Sequence, residues 1–121
     1  MSVKYSFIIP FYNSKKYLVR AIKSILKQKK LDIEIILVDD CSSDNSFEVA
    51  NYFKKKYPFI KIIKNKTNLG VGISRNKALK RANGEFLIFL DSDDELFDKS
   101  LTRLSRVIKN KKNVDLIVLK H

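Results

Sequence analysis

The stretch EIILVDD, residues 34–40, is an apolar run that ends abruptly in two aspartates. A second stretch, GEFLIFLDSDD at residues 84–94, has the same form. Short runs rich in β-branched and aromatic residues are typical of buried strands. Elsewhere, apolar residues recur at helical spacing. This alternation predicts an α/β, Rossmann-like fold in which a mainly parallel sheet carries helices on both faces.

The same patterns along the whole chain predict five strands and four helices. The strands are expected at residues 5–10, 33–38, 60–63, 86–90 and 115–119. Ser14 is expected to cap the first helix, Asp44 or Asn45 the second, and a third should span residues 71–81. A fourth helix is expected around residues 101–108. With 121 residues and no linker or repeat, residues 1–121 should form a single domain.

The chain is strongly basic, with 25 Lys and Arg against 13 Asp and Glu, and a formal net charge of +12. Such a charge favours an anionic partner, such as a phosphate-bearing ligand or an anionic membrane surface. A solvated, lysine-rich surface explains it equally well. The lysines are not accompanied by an aromatic RNA-binding signature, so no specific nucleic-acid partner is expected.

The sequence also bears on the compartment. Cys41 is the only cysteine, which excludes an internal disulfide and fits a reducing environment. The first apolar stretch ends at Pro10, unlike a signal peptide. No apolar run approaches the roughly 20 residues of a membrane span. We therefore expect a cytoplasmic protein, with peripheral attachment to the inner membrane face as an alternative.

The acidic residues are concentrated behind two of the predicted strands. Eight of the 13 acids form two clusters, namely Asp39, Asp40 and Asp44, and then Asp91, Asp93, Asp94, Glu95 and Asp98. Because parallel strands end at one edge of a sheet, both clusters should lie at the edge where such sheets bind ligands. A divalent cation or ligand donors would relieve their repulsion. Helix capping is the alternative; it suits Asp44 and Asp98, but not three aspartates within residues 91–94.

The sequence does not match the spacing of other common metal-binding and nucleotide-binding motifs. An EF-hand loop from Asp91 would need Gly at position 96 and Glu at position 102, where the chain has Leu96 and Thr102. One cysteine and a terminal His121 exclude a structural zinc site. The G-x-G at residues 70–72 lacks the third glycine of a dinucleotide fingerprint, and no P-loop is present.

Four segments, in order, resemble the amino-terminal half of family-2 glycosyltransferases, which have the GT-A fold. They are FIIPFYN at residues 7–13, the stretch at residues 34–44, residues 68–76, and the stretch at residues 84–94 that runs into a D-x-D motif. The resemblance covers essentially the whole chain. Cys41 stands where the family usually has Gly, and Ser74 where it usually has Ala.

The resemblance implies roles for residues that bind the donor nucleotide. Pro10 and Tyr12 would lie in the turn against the base, and Asp40 would accept the uracil N3 hydrogen. Asp39 would support that turn or the ribose. Arg75 would neutralise the diphosphate or help to hold the uracil end.

The resemblance also implies a metal site. Asp91 would bind the ribose or reach the metal through water, and Asp93 would ligate Mg²⁺ or Mn²⁺ between the two phosphates. The expected reaction transfers a sugar from a UDP-sugar to a saccharide or lipid-linked acceptor, with inversion, in polysaccharide biosynthesis. The family places the acceptor site and general base after the D-x-D motif. This chain, whether a natural short form or part of a longer enzyme, is therefore expected to lack both and to transfer sugar poorly.

Two alternatives come from other protein classes. A receiver domain would also be α/β and would bind Mg²⁺ through an acidic pair, with Lys120 as its lysine. That pair should follow the first strand, whereas Asp39 and Asp40 follow the second. A basic, non-catalytic binding module for nucleic acid or anionic lipid is the other alternative.

Overall fold

The computed structural model describes residues 2–30 and 32–110, and it contains a sheet of four parallel strands in the order β3-β2-β1-β4. The strands are β1 (Tyr5–Phe11), β2 (Ile33–Asp39), β3 (Ile60–Lys64) and β4 (Phe86–Phe89). The helices are α1 (Lys15–Leu26), α2 (Ser46–Lys56), α3 (Val71–Leu79) and α4 (Ser100–Asn110). The α/β prediction is confirmed, and the strand expected at residues 115–119 lies outside the described residues.

The sheet divides the core into two layers because neighbouring residues of a strand face opposite sides. On one face, Phe7, Ile9 and Ile35 pack with the apolar sides of α1, α2 and α4. On the other face, Ile8 and Ile36 pack with Ala78 of α3. Helices therefore cover both faces, as expected, but three share one face.

Among the described residues, strand β4 lies at the edge of the sheet next to β1, and its outward face is partly exposed. Phe86 and Ile88 pack against the larger core, whereas Leu87 and Phe89 are 44% and 48% exposed. Because side chains alternate between the two faces of a strand, Phe86 and Ile88 face the core and Leu87 and Phe89 face outward.

Gly84 allows the segment before β4 to approach β1. A Cβ atom here would lie 2.4 Å from Ser6 Oγ and 2.7 Å from the Ser6 nitrogen. The Gly84 amide donates to Ser6 Oγ at 2.8 Å, and Ser6 Oγ donates to Glu34. The third helix was expected to reach residue 81, but α3 ends at Leu79. The contact with β1 explains this glycine.

The helix starts differ in detail from the expected caps. Ser14 precedes α1, but its hydroxyl makes no capping bond and donates instead to the Tyr12 carbonyl at 3.0 Å. Asn45 precedes α2 without a side-chain cap, while Asp44 Oδ1 accepts the Ser46 amide at 2.8 Å. No helix in the described ranges is long and apolar enough to cross a membrane.

Candidate functional site

Both acid clusters lie at the carboxyl edge of the sheet. In the β1–β2 register Phe11 is level with Asp39, and in the β1–β4 register Ile8 is level with Phe89. Since all strands are parallel, the segment after β2 and the segment after β4 emerge on the same side. The structure therefore places at one edge the two clusters whose first members, Asp39 and Asp91, are 52 residues apart in the sequence.

Asp39 ends β2 inside the protein. Its side chain is fully buried, and Oδ1 accepts the Ser42 amide at 2.9 Å. Oδ2 is buried and has no hydrogen-bond partner among residues 2–30 and 32–110. A buried carboxylate oxygen normally has a partner, so Asp39 Oδ2 is an unsatisfied acceptor beneath the surface at the end of β2.

Asp40 connects the end of β2 to the segment before α3. Its Oδ1 accepts the Leu69 amide at 2.7 Å and Asn65 Nδ2 at 3.0 Å, and its Oδ2 accepts the Gly70 amide at 3.0 Å. Burial would raise the pKa of Asp40, but these hydrogen bonds and the charge of Lys77 outweigh it and hold the pKa below its ordinary value. A carboxylate accepts about four hydrogen bonds, so Oδ2 retains room for one more donor.

Asn65 is a residue of this site that the sequence analysis missed. It is buried directly after β3, and besides Asp40 its Nδ2 donates to Ser74 Oγ at 3.0 Å. Its Oδ1 accepts Lys77 Nζ at 2.9 Å. A polar residue directly after an apolar strand was the signal that marked the acids, and it applies to Asn65 as well.

The loop after β1 is tied to the loop after β2 through Asn13. The Asn13 side-chain oxygen accepts the Ser43 amide at 2.8 Å and the Asp44 amide at 3.2 Å. Asn13 has φ of 47°, a left-handed conformation that asparagine tolerates better than most residues. Next to it Tyr12 is 48% exposed, whereas Pro10 is buried inside β1. The tyrosine ring can therefore meet a ligand, and Pro10 supports the strand beneath it.

The second acid cluster gathers three carboxylates after β4. Oxygens of Asp91, Asp93 and Asp94 lie within 4.8 Å of one another. Ser92 anchors the loop by a hydrogen bond of 2.9 Å to Ser14 Oγ. Arg20 donates to the Asp93 carbonyl at 3.1 Å. Mg²⁺, Mn²⁺ and Ca²⁺ prefer such oxygen ligands, so the cluster fits a divalent cation.

Arg75 joins α3 to this cluster. Its guanidinium lies 3.0 Å from Asp91 Oδ1 and 5.7 Å from the centre of the Phe89 ring. Its Nε is buried without a hydrogen-bond partner in the described part of the chain. The site therefore sets one arginine beside three carboxylates, an arrangement suited to a ligand with phosphate groups and a bound cation.

Comparison with known proteins identifies the family. The model of glycosyl transferase family 2 matches residues 6–120. The chain belongs to this family. The resemblance inferred from the four motifs is thus confirmed.

Two curated relatives illustrate the likeness. The poly(ribitol-phosphate) beta-N-acetylglucosaminyltransferase TarS of Staphylococcus aureus is 36% identical over 121 residues, which cover 98% of this chain and 21% of TarS. The cholesterol galactosyltransferase of Borreliella burgdorferi is 46% identical over 93 residues, covering 77% of this chain and 26% of that protein. The chain thus spans about a fifth to a quarter of the length of these relatives.

Solved structures of two glycosyltransferases share the fold. Staphylococcus aureus TarS 1–349 in complex with UDP-GlcNAc matches with a TM-score of 0.83 at 37% identity, over 89% of this chain and 32% of that one. A mannosyltransferase from Pyrobaculum calidifontis in complex with GDP-Man and Mn²⁺ matches with a TM-score of 0.79 at 20% identity, over 88% and 32% of the two chains. The fold is therefore GT-A. Receiver domains have the strand order 2-1-3-4-5, so the order seen here excludes that alternative.

Proposed function

We propose that this family-2 chain binds the nucleotide-sugar donor of a glycosyl transfer, and that the donor is a UDP-sugar held with Mg²⁺ or Mn²⁺. One observation carries the proposal. The Asp91-Asp93-Asp94 cluster, with Arg75 beside it, lies at the same sheet edge as Asp39 and Asp40. A nucleoside diphosphate has a base at one end and charged phosphates at the other, and this edge offers partners for both.

The base would bind at the end of β2. A uracil N3–H can donate to the remaining position on Asp40 Oδ2, and such a charge-assisted bond selects a base that presents a donor there. Asp39, fully buried beneath the site, would support this turn through its bond from the Ser42 amide. The exposed Tyr12 ring would cover one face of the base. TarS, which shares this fold at 37% identity, has been solved with UDP as well as with UDP-GlcNAc.

The diphosphate would bind beside β4. Asp93, with Asp91, would hold the cation, which supplies Lewis-acid stabilisation of the negative charge that UDP gains as it leaves. Arg75 would exchange part of its contact with Asp91 for a phosphate oxygen, because the two anions compete for one guanidinium. The mannosyltransferase solved with Mn²⁺ is 20% identical to this chain, so it supports the GT-A fold alone.

The transfer itself would proceed with inversion to a saccharide or lipid-linked acceptor. The names of two relatives include a sugar-alcohol phosphate polymer, poly(ribitol-phosphate), and a lipid, cholesterol. We further propose that a segment beyond the donor-binding residues supplies the general base, since the relatives are several times longer than the matched part. In that case this chain binds a UDP-sugar but turns it over far more slowly than the roughly 1 s⁻¹ of ordinary enzymes.

Calorimetric titration with UDP, GDP and CDP, each with and without Mn²⁺, tests the proposal. UDP should bind with Mn²⁺ present and at least about tenfold more weakly without it. CDP should bind more weakly than UDP, because cytosine N3 accepts a hydrogen bond and cannot donate one to Asp40. Binding that ignores the base and the metal, together with steeply salt-dependent binding to DNA, would favour a basic, non-catalytic module instead.

A further inference from the structure

A groove runs between α1 and α2, on the face of the molecule opposite α3. Its volume is 880 Å³, and apolar side chains such as Val19, Val49 and Phe53 form its floor. Helix α1 has 12 residues and is therefore about 18 Å long. The amino-terminal end of the groove adjoins the donor edge through Lys15, and its other end lies beside Tyr57. No residue of the proposed donor site lines it.

The groove is bordered by positive charge. Its lining includes five lysines and one acid, Glu48; the lysines are Lys15, Lys23, Lys27, Lys29 and Lys56. All five are exposed, and none forms an ion pair within the described residues. Five lysines face a single acid in the groove, so an anionic partner would relieve the repulsion among them.

Aromatic side chains accompany these lysines. Tyr52 is 60% exposed on the groove, and Lys56 Nζ lies 6.0 Å from the centre of its ring and 5.9 Å from that of Tyr57. Tyrosine and lysine both place an apolar stem in the boundary region of a bilayer and a polar tip at the headgroups. A nucleic acid would use the charges but would leave the apolar floor uncovered.

We propose that the α1–α2 face is a docking surface for an anionic phospholipid bilayer. The lysines would bind lipid phosphates, and Tyr52 would enter the boundary between headgroups and acyl chains. This binding needs neither nucleotide nor metal, so it is independent of the proposed donor site. It would hold the sheet's carboxyl edge beside the membrane surface.

Vesicle flotation tests the docking surface. The parent chain should bind vesicles that contain phosphatidylglycerol and phosphatidylcholine, and it should not bind phosphatidylcholine alone. One lysine near an anionic surface contributes roughly fivefold to partitioning, so Lys23→Glu/Lys27→Glu should reduce it by about thirtyfold or more. The matched control is Lys80→Glu/Arg81→Glu, which makes the same change in net charge at exposed residues that follow α3 and should cost less than about threefold.

A fluorescent reporter gives a second, independent measurement. The chain has no tryptophan, so Tyr52→Trp creates a unique probe on the groove and Leu87→Trp a matched probe on the open face of β4. Anionic vesicles should shift the Tyr52→Trp emission to the blue and leave Leu87→Trp unchanged.

Three outcomes would overturn the docking proposal: equal losses for the two double variants, equal shifts for the two probes, or no binding of the parent chain to anionic vesicles. The last would leave an acidic protein as the partner of this groove. UDP titration of the same variants keeps the two proposals separate, because a docking failure leaves nucleotide binding intact.

Discussion

Replacing Asp40 with asparagine should weaken both the fold and the proposed recognition of the base. The substitution keeps the shape of the side chain but leaves one oxygen where there were two. That oxygen can keep the bonds from Leu69 and Asn65, but the new NH₂ group then faces the Gly70 amide, donor against donor. Asp40→Ala would leave the Leu69 and Gly70 amides without a partner and would remove one of the two bonds of Asn65 Nδ2, so the asparagine variant is the milder test.

The size of the effect follows from the three bonds. A hydrogen bond to a charged group contributes about 1.5–3 kcal/mol, and an unsatisfied buried donor costs about 1–3 kcal/mol. In the asparagine variant the Gly70 bond is lost, and the bonds from Leu69 and Asn65 go to a neutral amide oxygen instead of a charged carboxylate. We therefore expect the free energy of unfolding to fall by about 2–4 kcal/mol. Domains of this size are stable by about 5–15 kcal/mol, so the variant should remain folded at neutral pH.

Linkage adds a pH signature. The pKa of Asp40 is lowered in the folded protein, so its carboxylate contributes stability that is fully present above the unfolded pKa of about 3.9. That contribution is lost as the pH falls from there through the folded pKa. The asparagine variant has no carboxylate at position 40 to be protonated. Its stability should therefore fall less steeply than the parent's below about pH 4.

Urea unfolding followed by far-UV circular dichroism, at pH 7 and in steps down to about pH 3, measures both effects. Glu85→Gln, at an exposed position, is the control and should change stability by less than about 0.5 kcal/mol. Calorimetry on the folded variant should show a larger loss of affinity for UDP than for pyrophosphate. Parent-like stability and pH dependence would refute the structural role of Asp40, and equal losses for the two ligands would refute its role at the base.

Three further predictions concern the metal and two backbone positions. Asp93→Asn should abolish Mn²⁺-dependent UDP binding and leave the circular dichroism spectrum unchanged, since a hard cation needs the charge; parent-like titration would reject the metal site. Gly84→Ala should lower the free energy of unfolding by about 2 kcal/mol or more, because its Cβ would collide with the backbone of β1. Gly72→Ala is the control: a Cβ there meets open space in α3, so this variant should be neutral or slightly stabilising. Similar changes in the denaturation midpoints of the two variants would contradict the proposed close contact of Gly84 with β1. Cys41 has a φ of 66°, a conformation that is unfavourable for a residue with a Cβ atom. Cys41→Gly removes the Cβ and Cys41→Ala keeps it, so the glycine variant should be the more stable of the two by about 0.5–1 kcal/mol. A less stable glycine variant would show that residue 41 is not strained.

The sequence predicted the sheet well because its strands are nearly continuous apolar runs. The seven residues of β1 and the seven of β2 are all buried, and that is the pattern which the sequence shows. It also placed Asp39 and Asp91 at one edge, because position after a strand is a local property. The end of α3 was less visible, since the helix stops at Leu79 although helical spacing continues to residue 81.

What the sequence could not show were bonds between distant loops. Nothing near Asn65 indicates that it connects Asp40 with Lys77, because those three residues meet only after the sheet forms. The ion pair of Arg75 with Asp91 is of the same kind. The cost of Cys41, where the family usually has Gly, is likewise invisible in the sequence, because it comes from a backbone φ of 66°.

The different burial of the two ends of the site bears on how donor preference can change. Asp39 and Asp40 lie inside the protein and their bonds hold loops together, whereas Asp91 and Asp93 are exposed. A substitution at the buried end alters ligand preference only if the connections after β2 and β3 are rebuilt with it. Changes at the exposed end disturb no core. In the proposed site, single mutations of Asp91 or Asp93 would therefore change the binding of the cation and diphosphate without a cost in stability, whereas mutations of Asp39 or Asp40 would change ligand binding and stability together.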